Sequence, residues 1–143
     1  MGNIGATSYR QYNWGKTARY GKPPYMLVPG QEDPRTTRRG HTMHLNIEEP
    51  IRNAERYYSY HEAFEQTHKQ GGVTGYAHAS DTDFLGTQFG MALDVPFGLV
   101  DFFEVLQLGR LGTENWFDYL NLGYKLSPAA GTDYPYADTI PGE

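Results

Sequence analysis

Cysteine is absent from this chain, which removes disulfides and thiolate metal sites and leaves no sign of redox compartment. No apolar run approaches the roughly 20 residues needed to cross a bilayer. An excess of positive charge is lacking as well. Twelve Lys and Arg stand against 17 Asp and Glu, and the net charge of -5 does not suit broad binding to nucleic acid or to an anionic membrane. Met1 to Trp14 has no apolar core of the signal-peptide kind. There is no nucleophile elbow, phosphate loop or dinucleotide glycine motif.

What is present suits one folded domain. The chain has 143 residues, of which 38% are hydrophobic and 15% aromatic, too apolar a balance for disorder. Residues 1–24 show no period and read as an irregular N-terminal segment. Tyr9, Tyr12, Trp14, Tyr20 and Tyr25 either fill a core poor in large aliphatics or form a platform for a carbohydrate or protein partner. The basic cluster Arg35, Arg38 and Arg39 lies among polar residues and reads as a solvated loop.

From Tyr25 onward strands and helices alternate. Tyr25 to Val28 reads as a buried strand stopped by Pro29-Gly30, then a polar stretch runs from Gln31 to Gly40. His41 to Ile47 alternates as a second strand. From Pro50 the period becomes helical through Tyr57, His61, Phe64 and Thr67. A Glu65–Lys69 pair supports that helix and Gly71-Gly72 stops it. Val73 to His78 is a strand, and 79–98 a long loop of the kind that usually carries function. Leu99 to Leu106 is a nearly continuous apolar run, as in a parallel strand buried on both faces. Thr113 is placed to cap a helix ending near Gly123, and Ala129 to Asp133 is a short last strand. This order predicts an α/β fold with parallel strands.

In such folds the chemistry gathers beyond the carboxyl ends of the strands. Glu32, His78 and Asp133 fall there, and Glu104 lies late in its strand. His41 and Asp101 fall at strand starts. Carboxylate and imidazole without sulfur suit zinc, manganese or iron in a hydrolytic site. The bland readings are a hydrogen-bonded His78, a turn carboxylate at Glu32 and a helix cap at Asp133. Glu104 is the sharper signal, because a carboxylate inside an apolar strand must be paired, metal-bound or neutral. His41 and His44, three apart on a strand, point to opposite faces, so at most one of them joins a common site. His61 and His68 belong to the helix as packing or surface residues.

Pro29-Gly30-Gln31-Glu32, Gly40-His41, Gly71-Gly72-Val73-Thr74-Gly75-Tyr76-Ala77-His78, Val100-Asp101-Phe102-Phe103-Glu104-Val105 and Ala130-Gly131-Thr132-Asp133 follow one another in order. This ordered set resembles the polymerase-and-histidinol-phosphatase (PHP) superfamily of metallohydrolases, in its carbaryl-hydrolase-like CehA/McbA branch. The resemblance runs from about Tyr25 to Asp133, within a partial PHP-like metallohydrolase domain of residues 25–143, and implies part of a distorted (β/α) barrel with divalent ions at the carboxyl end of its strands. It places metal ligands at Glu32, His41, His78 and Asp133, with Glu32 and Asp133 catalytic and Glu104, His44 and Tyr134 as further candidates. Two departures accompany it. Residues 1–24 contain no histidine where the family has a His-x-His motif, and Pro135 stands where many members have a histidine.

The expectation is therefore a hydrolase of ester, amide, carbamate or phosphoester bonds acting on a small molecule through zinc, manganese or iron. No nucleic-acid or membrane partner is expected. The missing motif implies a partial chain that self-associates or completes itself with an N-terminal half. A non-catalytic carbohydrate- or protein-binding module and an inactive truncated hydrolase are the alternatives.

Overall fold

The computed structural model describes residues 30–51, 55–56, 59–79, 89–107 and 109–133. The strand expected at Tyr25 to Val28, the aromatic N-terminal segment, Tyr57, residues 80–88 of the 79–98 loop and Tyr134 lie outside the described residues. The elements are β1 (Gly30–Thr36), β2 (Gly40–Leu45), α1 (Tyr60–Lys69), β3 (Val73–Tyr76) and α2 (Met91–Asp94), which a 3-10 turn (Val95–Phe97) extends. They continue with β4 (Phe102–Gln107), β5 (Arg110–Leu111), α3 (Glu114–Asn121) and β6 (Ser127–Gly131). No helix among the described residues is long and apolar enough to cross a membrane.

The strands form one mixed, open sheet, so the fold is α/β, but the described strands do not make the parallel barrel expected from their alternation with helices. β2 is antiparallel to both β1 and β3, whereas β3 and β6 flank β4 in parallel. The direction of α1 explains the departure. The Tyr60 hydroxyl at the helix start donates to Gly40 O at 2.6 Å, beside the beginning of β2. Past the helix end, Val73 pairs with Leu45, the last residue of β2. α1 thus starts beside the beginning of β2 and runs toward its end, and β3 is delivered antiparallel. A helix between two strands makes them parallel only when the helix itself makes the return.

α1 buries Tyr60, Ala63, Phe64 and Thr67, an i, i+3, i+4, i+7 stripe. His61 stands off that stripe, exposed beside Glu65 at 3.5 Å. The helix begins at Tyr60 rather than near Pro50, and the backbone N–H groups of Glu48 and Glu49 both donate to Gln70 Oε1 at 2.8 Å. It ends as the glycine pair predicts. Gly71, at φ 75, donates to His68 O and Gly72 to Thr67 O, which closes the last turn with a left-handed residue that only glycine adopts freely. The Glu65–Lys69 pair forms at 3.9 Å. Thr113 precedes α3 but makes no side-chain capping bond.

The polar stretch after Gly30, expected as a connection, is β1 itself. Among the described residues β1 pairs with β2 alone, so its side chains need not be apolar, and the register breaks between Glu32 and Arg35 around Pro34. The Arg35–Arg39 cluster is not simply solvated. Arg35 Nη1 lies 3.5 Å from Glu32 Oε1, and Arg39 Nη2 lies 3.2 Å from the buried Asp94 Oδ2.

The described helices cover one face of the sheet. Tyr76 and Phe103 are paired across β3 and β4 and share that face, Tyr76 against Phe64 and Phe103 against Tyr119. Gly75, Phe102 and Glu104 belong to the opposite face. A Cβ on Gly75 would lie 2.3 Å from the Phe102 ring, whose residue is buried. Gly75→Ala is therefore expected to cost about 1–3 kcal/mol of stability through overpacking. Urea denaturation measures this, and an unchanged midpoint would show that the ring has room to move.

Candidate metal centre

The face away from the helices carries a compact polar cluster. Glu32 comes from the bulged half of β1, His41 from the start of β2 and His78 from the turn after β3. Because β2 runs against its neighbours, its first residues sit level with the carboxyl ends of β1 and β3. His41, seemingly at the wrong end of its strand, is thereby brought to the right end of the sheet, and Ala77 N donates to His41 O at 3.0 Å. Asp101, at the start of β4, goes to the other end. There its carboxylate takes hydrogen bonds from Thr74 N and faces His68 Nε2, each at 2.8 Å.

Glu32 Oε1 lies 2.8 Å from His41 Nδ1 and 3.8 Å from His78 Nε2. The ligand atoms of these three residues all fall within 4.8 Å of one another. Ligands about 2 Å from a shared ion stand roughly 3–4 Å apart, so this spacing suits one cation. Glu32 Oε1 and His41 Nδ1 are both buried and meet as an ion-pair contact without good hydrogen-bond geometry, with Arg35 Nη1 also 3.5 Å from the oxygen. A buried polar atom without a well-formed hydrogen bond costs about 1–3 kcal/mol, which a cation held between the two would offset. Oxygen and two imidazole nitrogens form a donor set that fits zinc, manganese or iron.

Burial alone would raise the Glu32 carboxyl, but the His41 and His78 imidazoles and the Arg35 charge outweigh it and hold its pKa at about 2. His78 is shifted upward. Burial opposes this, but the oxygens of Glu32, Gln107 and Glu104 prevail. Glu104 is pushed up chiefly by burial, with the Glu32 and Asp133 charges adding to it. The Glu104 carboxylate is held by the backbone, since His78 N donates to its Oε2 at 2.8 Å. That bond fixes a residue in the left-handed region, for His78 has φ 54.

Of the other candidates, Asp133 follows β6 at φ 52 and reaches Glu104 through its charge, but it is not one of the three residues gathered within 4.8 Å. His44 turns to the helix face, fully buried between Thr42 Oγ1 at 3.0 Å and Thr67 Oγ1 at 2.5 Å, with Phe64 beside it. It belongs to the packing of α1 and not to the cluster. Tyr134 lies outside the described residues. The residue that sequence reasoning missed is Gln107, buried at the end of β4, whose Oε1 contacts His78 Nδ1. Its signal was available: it is the polar residue that ends an apolar strand at the carboxyl edge.

A polar cleft of about 530 Å³ lies elsewhere, between α1 and the segment around Glu49 to Ile51, and none of the three cluster residues lines it. No family model, curated protein or solved structure matches the chain.

Proposed function

We propose that the chain binds a divalent cation through Glu32, His41 and His78 and acts as a metal-dependent hydrolase of ester, carbamate, amide or phosphoester bonds. The observation that carries this reading is the convergence of Glu32 Oε1, His41 Nδ1 and His78 Nε2, whose residues offer ligand atoms within 4.8 Å of one another. The ordered motifs of the PHP resemblance support it, and in that reading the sheet is one wall of a distorted (β/α) barrel with its polar face inward. A bound divalent cation supplies Lewis acidity, making water more acidic and polarising a carbonyl or phosphoryl oxygen. Glu32 enters as a carboxylate and the two histidines as neutral donors. Glu104 holds the His78 backbone in place. Asp133 is the carboxylate that the resemblance assigns to catalysis, placed near enough to Glu104 to be felt by it.

Equilibrium titration with zinc and with manganese tests the centre. The chain is expected to take up one ion, with affinity falling at least about tenfold in Glu32→Gln, His41→Ala or His78→Ala, no less than the loss of an outer-shell partner costs. His61→Ala and His68→Ala should leave uptake unchanged, because those rings belong to the helix. Metal-dependent turnover of ester, carbamate or phosphoester substrates, lost in Asp133→Asn, tests the hydrolase. A chain that takes up no ion, or that loses it with His61 or His68, sinks the reading.

A further inference from the structure

Gln107 sits at a point where three strands meet. Its backbone pairs with Gly131 of β6 and with Arg110 of β5, and its side chain is buried against the turn that carries His78. On a regular strand Gln107 and Glu104, three residues apart, would face opposite sides. They do not, because the β4–β6 register shifts between Glu104 and Leu106: Glu104 pairs with Ala129, and Leu106 with the very next residue, Ala130. One extra residue on β4 turns Gln107 to the side of Glu104, the usual effect of a bulge. Both then hold the same histidine. Glu104 Oε2 accepts the His78 backbone N–H, and Gln107 Oε1 is hydrogen-bonded to the ring at Nδ1.

Contact distance separates the two ring nitrogens, since Nδ1 is within hydrogen-bond reach of an oxygen and Nε2 is not. Nδ1 faces two oxygens, Gln107 Oε1 and, at 3.9 Å, Glu104 Oε2. A carboxylate accepts only, and a glutamine carbonyl oxygen accepts only. Nε2 points the other way, toward the Glu32 carboxylate, whose Oε1 is also an acceptor but at 3.8 Å lies beyond hydrogen-bond reach. We propose that Gln107 is a positioning residue that holds His78 in its Nδ1–H tautomer and so presents Nε2, with its lone pair, to the cation site. The inference rests on the cation reading above for its purpose, but the tautomer itself does not require a cation. The bulge is then a device for aiming the carbonyl, since without it Gln107 would point to the helix face.

The experiment uses the whole chain with labelled histidine. In the metal-free protein, long-range proton–nitrogen correlation of the His78 ring, assigned by comparison with His78→Asn, is expected to show the proton on Nδ1. Zinc affinity is then measured by competition with a chromophoric chelator for wild type, Gln107→Glu and Gln107→Met. Glutamate keeps the acceptor and should keep both the tautomer and the affinity. Methionine has similar length and no acceptor, so the Nδ1–H signature should fade and zinc should bind about 10–100-fold more weakly. A merely structural Gln107 would leave the tautomer of a folded Gln107→Met protein unchanged. A ring protonated on Nε2 in the wild type overturns the proposal, as does Gln107→Met with wild-type tautomer and zinc affinity. Failure of the wild type to bind zinc overturns the cation reading instead, and the metal-free tautomer then decides the role of Gln107 by itself.

Discussion

Asp94→Ala is expected to lower folding stability by about 3 kcal/mol, the effect of deleting a buried acceptor that serves two donors. Asp94 is 2% exposed. Its Oδ2 accepts from the Tyr76 hydroxyl at 2.7 Å and from Arg39 Nη2 at 3.2 Å. Arg39 in turn lies over the Tyr60 ring, 4.3 Å from its centroid. The group ties the turn between β1 and β2 to α2 and to the centre of the core. With alanine at 94 the Tyr76 hydroxyl stays buried without its acceptor, while the partly exposed Arg39 recovers some solvation, which keeps the loss below that of a fully buried ion pair. Asp94→Asn retains an acceptor oxygen and should lose roughly half as much. Urea denaturation followed by far-ultraviolet circular dichroism measures both. An Asp94→Ala midpoint equal to wild type would mean that these contacts contribute nothing net.

Acid should destabilise the fold through His44, with a slope that a non-titrating residue abolishes. Burial, followed by the charge of His68, lowers the His44 pKa from 6.5 to about 3. Hydrogen bonds suit the neutral ring. Thr42 Oγ1 donates to Pro34 O and so accepts from Nε2–H, while Thr67 Oγ1 can turn its proton from Ala63 O to Nδ1. Between pH 6.5 and 3 the unfolded chain therefore binds a proton at this residue that the folded chain refuses. The sign is fixed: no cost above pH 6.5, and a loss of about 1.4 kcal/mol per unit below it, or about 2 kcal/mol by pH 5. Glu32 adds a loss of the same sign only further down, from pH 4.5 toward its folded value of about 2. The upward shifts of His78 and Glu104 act in the opposite sense. For that reason the comparison is between wild type and His44→Leu, each denatured across pH 5 to 8. The difference in stability between them should change by about 2 kcal/mol over that range. A constant difference would show that the folded protein protonates His44 as readily as the unfolded chain.

The linear order of residues was enough to determine what depends on near neighbours. It placed a helix stopping at Gly71, a buried strand through Phe102 to Val105 and an acid at Glu104 in need of a partner. It also put His41 and His44 on opposite faces of one strand. Each follows from a period or a backbone preference that acts over a few residues. The tertiary structure alone decided how those faces meet. Nothing local marks β2 as antiparallel to β3, since that depends on whether the chain or the helix makes the return, yet this direction is what carries His41 to Glu32 and His78 and sends Asp101 away to His68. β1 escaped notice because a strand with a single described neighbour can be polar. Asp94 read as a loop residue because its partners, Tyr76 and Arg39, lie 18 and 55 residues away. Gln107 needed a register shift against β6 before it could face His78. Strand direction and register are set by pairing between distant segments, and pairing energy is shared by two stretches of chain, so neither stretch displays it by itself.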